Sequence, residues 1–345
     1  MRKFFLPAGI IVLVAIFCGL YLLLSTATNF EKEKQYIYVK PGADPRKTIS
    51  QQIDTSTLIK RTGLWLWMMD ITHSWDRVSA GRFEIKKGMN LYDIVILFRR
   101  NQQSSVKLII NKLRTPEDFS KLVAKNFMID SATMYEFLTN ADSLAAAGFS
   151  TDTWMIAIIP NTYELSWTAT AGTIYSRLCS EQKKFWSKNN RLEKATALGF
   201  TSAQIYTIGS IVEEETNKND EKGNVASVYM NRVNSNMPLG ADPTIKFALK
   251  DFSLKRILYK HLSVESPYNT YKNIGLPPGP ICTPQIVTID AVLNAPKTDY
   301  IFFVAKSDFS GYHHFSVTFA EHSQYAKEYQ DSLNAFLLRK QQQKQ

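Results

Sequence analysis

The chain has 345 residues, 45% of them apolar and 12% aromatic, which is enough for more than one packed core and too apolar for a disordered polymer. A net charge of +10 suits an anionic extracytoplasmic setting such as cell-wall polymer or lipid headgroups. No Lys/Arg stripe interleaved with aromatics is present, so nucleic acid is not an expected partner. The three cysteines, with Cys18 inside an apolar run, exclude a disulfide framework, although Cys179 and Cys282 could pair. Neither CxxC nor HExxH spacing occurs, and no metal or cofactor is expected.

At the N-terminus Arg2 and Lys3 precede an uncharged run from Phe4 to Leu24, which as a helix would be about 31 Å long and match a bilayer core. It is longer than the apolar part of a cleaved leader. The expectation is a retained single-pass anchor in the inner (cytoplasmic) membrane over residues 1–29. Its N-terminus would be cytoplasmic and the rest of the chain extracytoplasmic, on the periplasmic side.

Next come a strand at Tyr36 to Val39, a turn at Pro41-Gly42, and a helix-like stretch from Ile49 through Met69. Gly81 to Ile85 alternates as a strand, Asn90 caps a helix with Asp93 three residues on, and Val106 to Ile110 is a further strand. Thr115-Pro116-Glu117-Asp118 is a strong helix start, opening a largely helical region to about Asn190 that is broken at Ile159 to Tyr163. A helix from Thr201 and another over Val225 to Arg232 follow. Residues 238–284, dense in Pro, Gly, Asn and Tyr, read as functional loops. Strands at Tyr300 to Ala305 and His314 to Val317 lead to a helix from Phe319 and a frayed polar tail, 341–345.

The helix from Thr201 carries the most information. Thr201 and Gln204 have the spacing of a capping box, with Phe200 placed to staple the first turn. At about 100° per residue, Ile211, Val212 and Glu215 share a face with Ile208, whereas Glu213 and Glu214 fall well away, as solvated residues should. A carboxylate on an apolar face has its charged form disfavoured and its pKa raised, which makes a general acid. A helix-end glutamate paired with a lysine is the plainer alternative.

Other stretches stand out by composition. Asp242 precedes Pro243, as a site residue or as a helix cap. Asn269, Thr270 and Tyr271 could stack on and hydrogen-bond to sugar rings, or simply close a loop. Gly275 to Ile281 is a rigid Pro-Gly turn, and His313 and His314 begin a strand.

Taken together, the stretches Gly209 to Thr216, Val225 to Arg232, Asp242-Pro243-Thr244, Tyr268 to Tyr271, Gly275 to Ile281 and His313-His314-Phe315 resemble the endolytic murein transglycosylase family, MltG or YceG-like. The likeness is strongest over about 196–330 and reaches more weakly through Pro160 to Tyr163 and the 33–104 module. It implies an α+β fold: a transmembrane helix, a LysM-like α/β module over 30–110, and a catalytic domain over 111–340 with a glutamate on its core helix. It also implies a lytic transglycosylase that cleaves the MurNAc-GlcNAc bond of peptidoglycan with 1,6-anhydroMurNAc formation and terminates nascent strands. Its partners would be glycan strands, the membrane and peptidoglycan synthases. The family's E-x-E-T glutamate falls on Glu215, with Glu213 as second candidate. Asp242, Asn269, Thr270, Tyr271, Tyr163 and His313 are the expected substrate contacts. Departures from the family pattern are Gly240, where Gln is frequent, Met155-Ile156-Ala157, and Lys112-Leu113-Arg114. The rival functions are a water-using muramidase and a non-catalytic glycan-binding scaffold.

Overall fold

A computed structural model describes the backbone of residues 5–342 and the side chains of residues 10 and 12–342. Arg2 and Lys3, on which the expected membrane orientation rests, and the tail residues 343–345 lie outside the described residues. The fold is mixed α+β, and among the described residues its strands pair into three two-stranded sheets. The chain divides into two compact units: Met1–Leu108 with Val123–Asp130 and Tyr163–Thr170, and Ile109–Leu122 with Ser131–Thr162 and Ala171–Gln345.

In the first unit α1 (Phe5–Leu24) is continuous. Among the described residues no helix is long and apolar enough to cross a membrane; the side chains of residues 5–9 and 11 are not among them. Beyond α1 the chain is tied down at once. Ala27 is fully buried, its N–H bonds Met89 O and its carbonyl accepts from Lys60 N, and the Arg61 guanidinium reaches Ser25 Oγ at 3.0 Å.

β1 (Lys34–Val39) pairs antiparallel with β2 (Gly81–Lys86), placing Ile37 opposite Phe83. Between them lie α2 (Pro45–Ser56) and α3 (Thr62–Ile71). The single helical stretch expected over 49–69 is therefore two helices, because Thr57 and Arg61 adopt left-handed backbone, φ 49° and 60°, and break the hydrogen-bond ladder. α4 (Leu91–Arg99) starts as expected, Asn90 Oδ1 accepting from Asp93 N at 2.8 Å. Ile49, Ile53, Trp65, Phe83 and Phe98 form the core of this unit. β3 (Val106–Ile109) follows.

α5 (Pro116–Asn126) begins at the predicted cap, with Asp118 N donating to Thr115 Oγ1. α6 (Ser131–Thr139) and α7 (Ala141–Ala145) come next, and the break near Pro160 opens into β4 (Thr162–Leu165), which pairs with β3. α8 (Ala171–Trp186) and α9 (Arg191–Ala197) lead to α10 (Ser202–Glu215).

α10 is the axis of the second unit. Its capping box closes as predicted, with Thr201 Oγ1 accepting from Gln204 N and Thr201 N donating to Gln204 Oε1, and Phe200 is buried in the core beside it. Every residue from Ile205 to Glu213 is buried, because α11 (Lys222–Asn234), α12 (Asp242–Ala248) and α14 (Ile286–Leu293) pack around it. Pro284 packs against this helix at Gly209, where a Cβ would sit 3.5 Å from the proline ring, an ordinary contact distance. The 238–284 region is not all loop, since it holds α12 and the single turn α13 (Tyr259–Leu262).

β5 (Phe302–Ala305) and β6 (His313–Ser316) form an antiparallel hairpin, and α15 (Phe319–Gln342) packs on both strands. Residues 341 and 342, expected to fray, continue that helix. Cys179 and Cys282 are free rather than paired; the Cys282 thiol donates to Ser210 O.

Candidate active site

The three consecutive glutamates that end α10 have three different environments. Glu213, expected on the solvated side, is instead 6% exposed. It accepts from Lys222 Nζ at 3.2 Å and from Thr288 Oγ1, with Lys112 Nζ 3.7 Å away. The expectation fails because α10 is enclosed on every side, so a position off the apolar stripe still faces protein. Glu214 is clamped by Arg114, whose Nε and Nη2 donate to its two oxygens, each at 3.0 Å, with Lys112 at 3.4 Å. Burial pushes the Glu214 pKa up, but Arg114 and Lys112 outweigh it and hold the carboxyl below its ordinary value. Lys112 and Arg114, departures from the family pattern, thus neutralise both neighbours of the candidate acid.

Glu215 has no such cation. Among the described residues its carboxylate joins no ion pair, and its hydrogen bond is with a neutral group: Tyr229 Oη–H donates to Oε1 at 2.6 Å. Burial raises its pKa to about 7; the Tyr229 hydrogen bond opposes the rise, the negative charge of Asp242 adds to it, and Lys246 and Arg232 pull it down. A group with this pKa is half protonated near neutrality, as a proton donor requires.

Glu215 opens onto a cavity of about 560 Å³ lined by Tyr229, Arg232, Gly240, Asp242, Tyr271, Phe302 and His322, among others. The elements explain the assembly. Tyr229 and Arg232 lie three apart on α11 and so share a face. Arg232 is fixed by donating from Nε to Ile301 O at 2.7 Å and from Nη1 to Leu239 O at 2.6 Å. Asp242 opens α12 without capping it through its side chain; its Oδ1 accepts from Tyr271 Oη at 2.6 Å instead. Gly240 sits at φ +58°, and a Cβ there would meet Arg232 Nη1 at 3.4 Å.

The expected site residues divide accordingly. Glu215, Asp242 and Tyr271 meet in one cavity. Asn269 and Thr270 do not line it: both are buried, Asn269 Nδ2 donates to Leu262 O and Val264 O, and Thr270 Oγ1 accepts from Ala241 N at 3.0 Å. They shape the loop that presents Tyr271, whose N–H donates to Asn269 Oδ1. His313 is turned to Glu221, with Nδ1 3.1 Å from its carboxylate. Tyr163 is buried on β4 in the first unit. Tyr229, Arg232, Phe302 and His322 were missed; an i, i+3 pair one helix after Glu215 was the available signal for the first two.

A larger cleft of about 660 Å³ in the first unit is lined by Lys34, Tyr36, Arg82 and Glu84, among others. Its carboxylate is ion-paired to Lys34 at 3.1 Å, so nothing there is poised to give up a proton.

The sequence pattern of the YceG-like family matches residues 37–328. A Bacillus subtilis protein named endolytic murein transglycosylase is 41% identical over 131 residues, 38% of this chain and 36% of that relative. A protein of the same name from Streptococcus pneumoniae is 32% identical over 152 residues, 43% of this chain and 27% of that relative. The chain thus matches well under half the length of these relatives. A solved yceG-like protein from Listeria monocytogenes superposes with a TM-score of 0.56 at 25% identity, covering 85% of this chain and 99% of that one.

Proposed function

Because this chain belongs to the YceG-like family, we propose that it is a lytic transglycosylase that cuts peptidoglycan strands between MurNAc and GlcNAc, with Glu215 as its acid and base. The observation that carries the reading is Glu215 itself, which lines a cavity and among the described residues joins no ion pair, while both neighbouring glutamates are ion-paired. Tyr229 donates to Oε1, so the acidic proton resides on Oε2. That proton passes to the glycosidic oxygen as the bond to C1 breaks. The carboxylate then removes the proton of the MurNAc 6-hydroxyl, whose oxygen closes on C1. An intramolecular nucleophile needs no second carboxylate to activate water. Asp242 and Tyr271, which line the same cavity, hold the substrate.

The same reading makes α1 a membrane anchor and residues 30–110 a LysM-like module, supported by the β1-α2-α3-β2 order. The enzyme would then act on nascent strands at the extracytoplasmic face of the membrane, beside the synthases, and end their growth. Replacing residues 1–29 by a cleaved leader tests this, since cutting of membrane-proximal strands should fall while activity on free strands persists.

The decisive experiment is product mass analysis for the wild type and Glu215→Gln. The wild type should release 1,6-anhydro ends and the variant none. Reducing ends, heavier by one water, would make the protein a muramidase. Anhydro ends from the variant would remove Glu215 from the mechanism.

A further inference from the structure

The wall of the cavity supplied by β5 and α15 has an unusual makeup. The His322 ring lies over Phe302, centroids 5.1 Å apart and planes 18° from parallel, with Phe319 beside both. The Arg232 guanidinium sits 5.4 Å from the Phe302 ring centre. Phe303, next along β5, packs edge-on against Tyr229, 5.8 Å between ring centres. One strand therefore braces the partner of Glu215 with one ring and builds an aromatic shelf with the next.

His322 lines the cavity, yet its Nδ1 is buried and, among the described residues, has no hydrogen-bond partner. Burial and the charge of Arg232 push its pKa below the ordinary value, which favours the neutral ring at pH 7. A neutral imidazole carries one proton, and a buried N–H without an acceptor costs more than a buried bare nitrogen. The bare nitrogen is then Nδ1, which leaves Nε2–H as the donor of a ring that lines the cavity.

We propose that His322, Phe302 and Phe319 form a sugar-binding subsite beside Glu215, in which a pyranose ring of the strand stacks on the aromatic shelf and an oxygen of that sugar accepts from His322 Nε2–H. Aromatic rings offer a face to the C–H side of a pyranose, and one fixed donor sets its rotation. The orphaned Nδ1 is the cost of holding that donor in place. His322 is a substrate-binding residue here, with no part in proton transfer. The inference rests on the reading of the cavity as a glycan cleft, and its test includes a measurement that needs no turnover.

Three variants separate the contributions. His322→Phe keeps the stack and removes the donor, His322→Gln keeps a donor without the ring, and Phe302→Leu weakens the shelf. On uncrosslinked peptidoglycan strands, His322→Phe should raise KM about tenfold with kcat within about threefold of wild type. His322→Gln should recover part of that loss. In parallel, calorimetric binding of the same strands to Glu215→Gln should weaken about tenfold when His322→Phe is added, with circular dichroism confirming both fold. Unchanged KM and unchanged binding would overturn the subsite, as would a fall in kcat at constant KM. Binding that depends on His322 in a protein without turnover would keep the subsite and remove the proposed reaction.

Discussion

The buried ammonium of Lys222 lies 3.2 Å from Glu213 Oε2 and donates to Thr288 Oγ1 at 2.7 Å, which places a structural ion pair two residues from the candidate acid. Removing one partner of a buried pair leaves an uncompensated charge. Lys222→Met should therefore lose about 3 kcal/mol in urea unfolding, at the low end of the range for such pairs because Lys112 remains nearby. Adding Glu213→Gln should restore most of it. Full stability in the single variant would mean that Glu213 gains nothing from Lys222.

The pKa of Glu215, raised to about 7 by burial, sets the alkaline limb of the pH profile. The donor must be protonated before the first step, so kcat/KM should hold below pH 7 and drop about tenfold per unit well above it. Initial rates of anhydro-end release from pH 5 to 9 measure this. A profile flat to pH 9 would exclude Glu215 as the acid.

Tyr229 opposes that rise, because its hydroxyl bonds the charged carboxylate. In Tyr229→Phe the Glu215 pKa should climb further, moving the alkaline limb to higher pH. Its kcat should nonetheless fall about tenfold, since the bond that orients the carboxyl is gone. An unmoved limb would show that the tyrosine does not contact the titrating oxygen.

Stability should carry the same signature. Glu215 binds its proton more tightly folded than unfolded, so the folded state is penalised progressively as pH rises from about 4.5 to 7, and constantly above. Glu215→Gln should be more stable than wild type by about 3 kcal/mol at pH 8, with the gain vanishing below about pH 4.5. Thermal melts of the pair at pH 4.5 and 8 test it. An equal difference at both pH values would contradict a raised pKa.

At Gly240 the left-handed backbone, φ +58°, costs any residue with a Cβ about 1 kcal/mol. Gly240→Ala should lose about that much in denaturant unfolding, and its methyl would crowd Arg232. No loss at all would mean that the loop can change its backbone there.

Much of the frame was legible because it depends on local chemistry. The Thr201–Gln204 capping box, the Asn90 cap and the strands near residues 37 and 83 are set by neighbours within a few residues. What was hidden depends on distant partners. A helical wheel, which assumes one inward face, puts Glu213 on the solvated side, and only α11, α12 and α14 closing around α10 make its face interior. Asn269 carries the groups a sugar would bind, yet the backbone carbonyls of Leu262 and Val264 claim its amide. His322 joins the cavity from a C-terminal helix more than a hundred residues after Glu215, and nothing near it in the chain marks it.

α10 is capped at Thr201 and stops at Glu215, where Thr216 turns extended, and no basic residue occupies its last turn. The peptide dipoles of a helix leave about half a negative charge at its C-terminal end, which is where this carboxyl sits. The backbone itself therefore resists its ionisation, in a way that no side-chain replacement can remove. Even with Asp242 changed to Asn, the acid should keep part of its elevation.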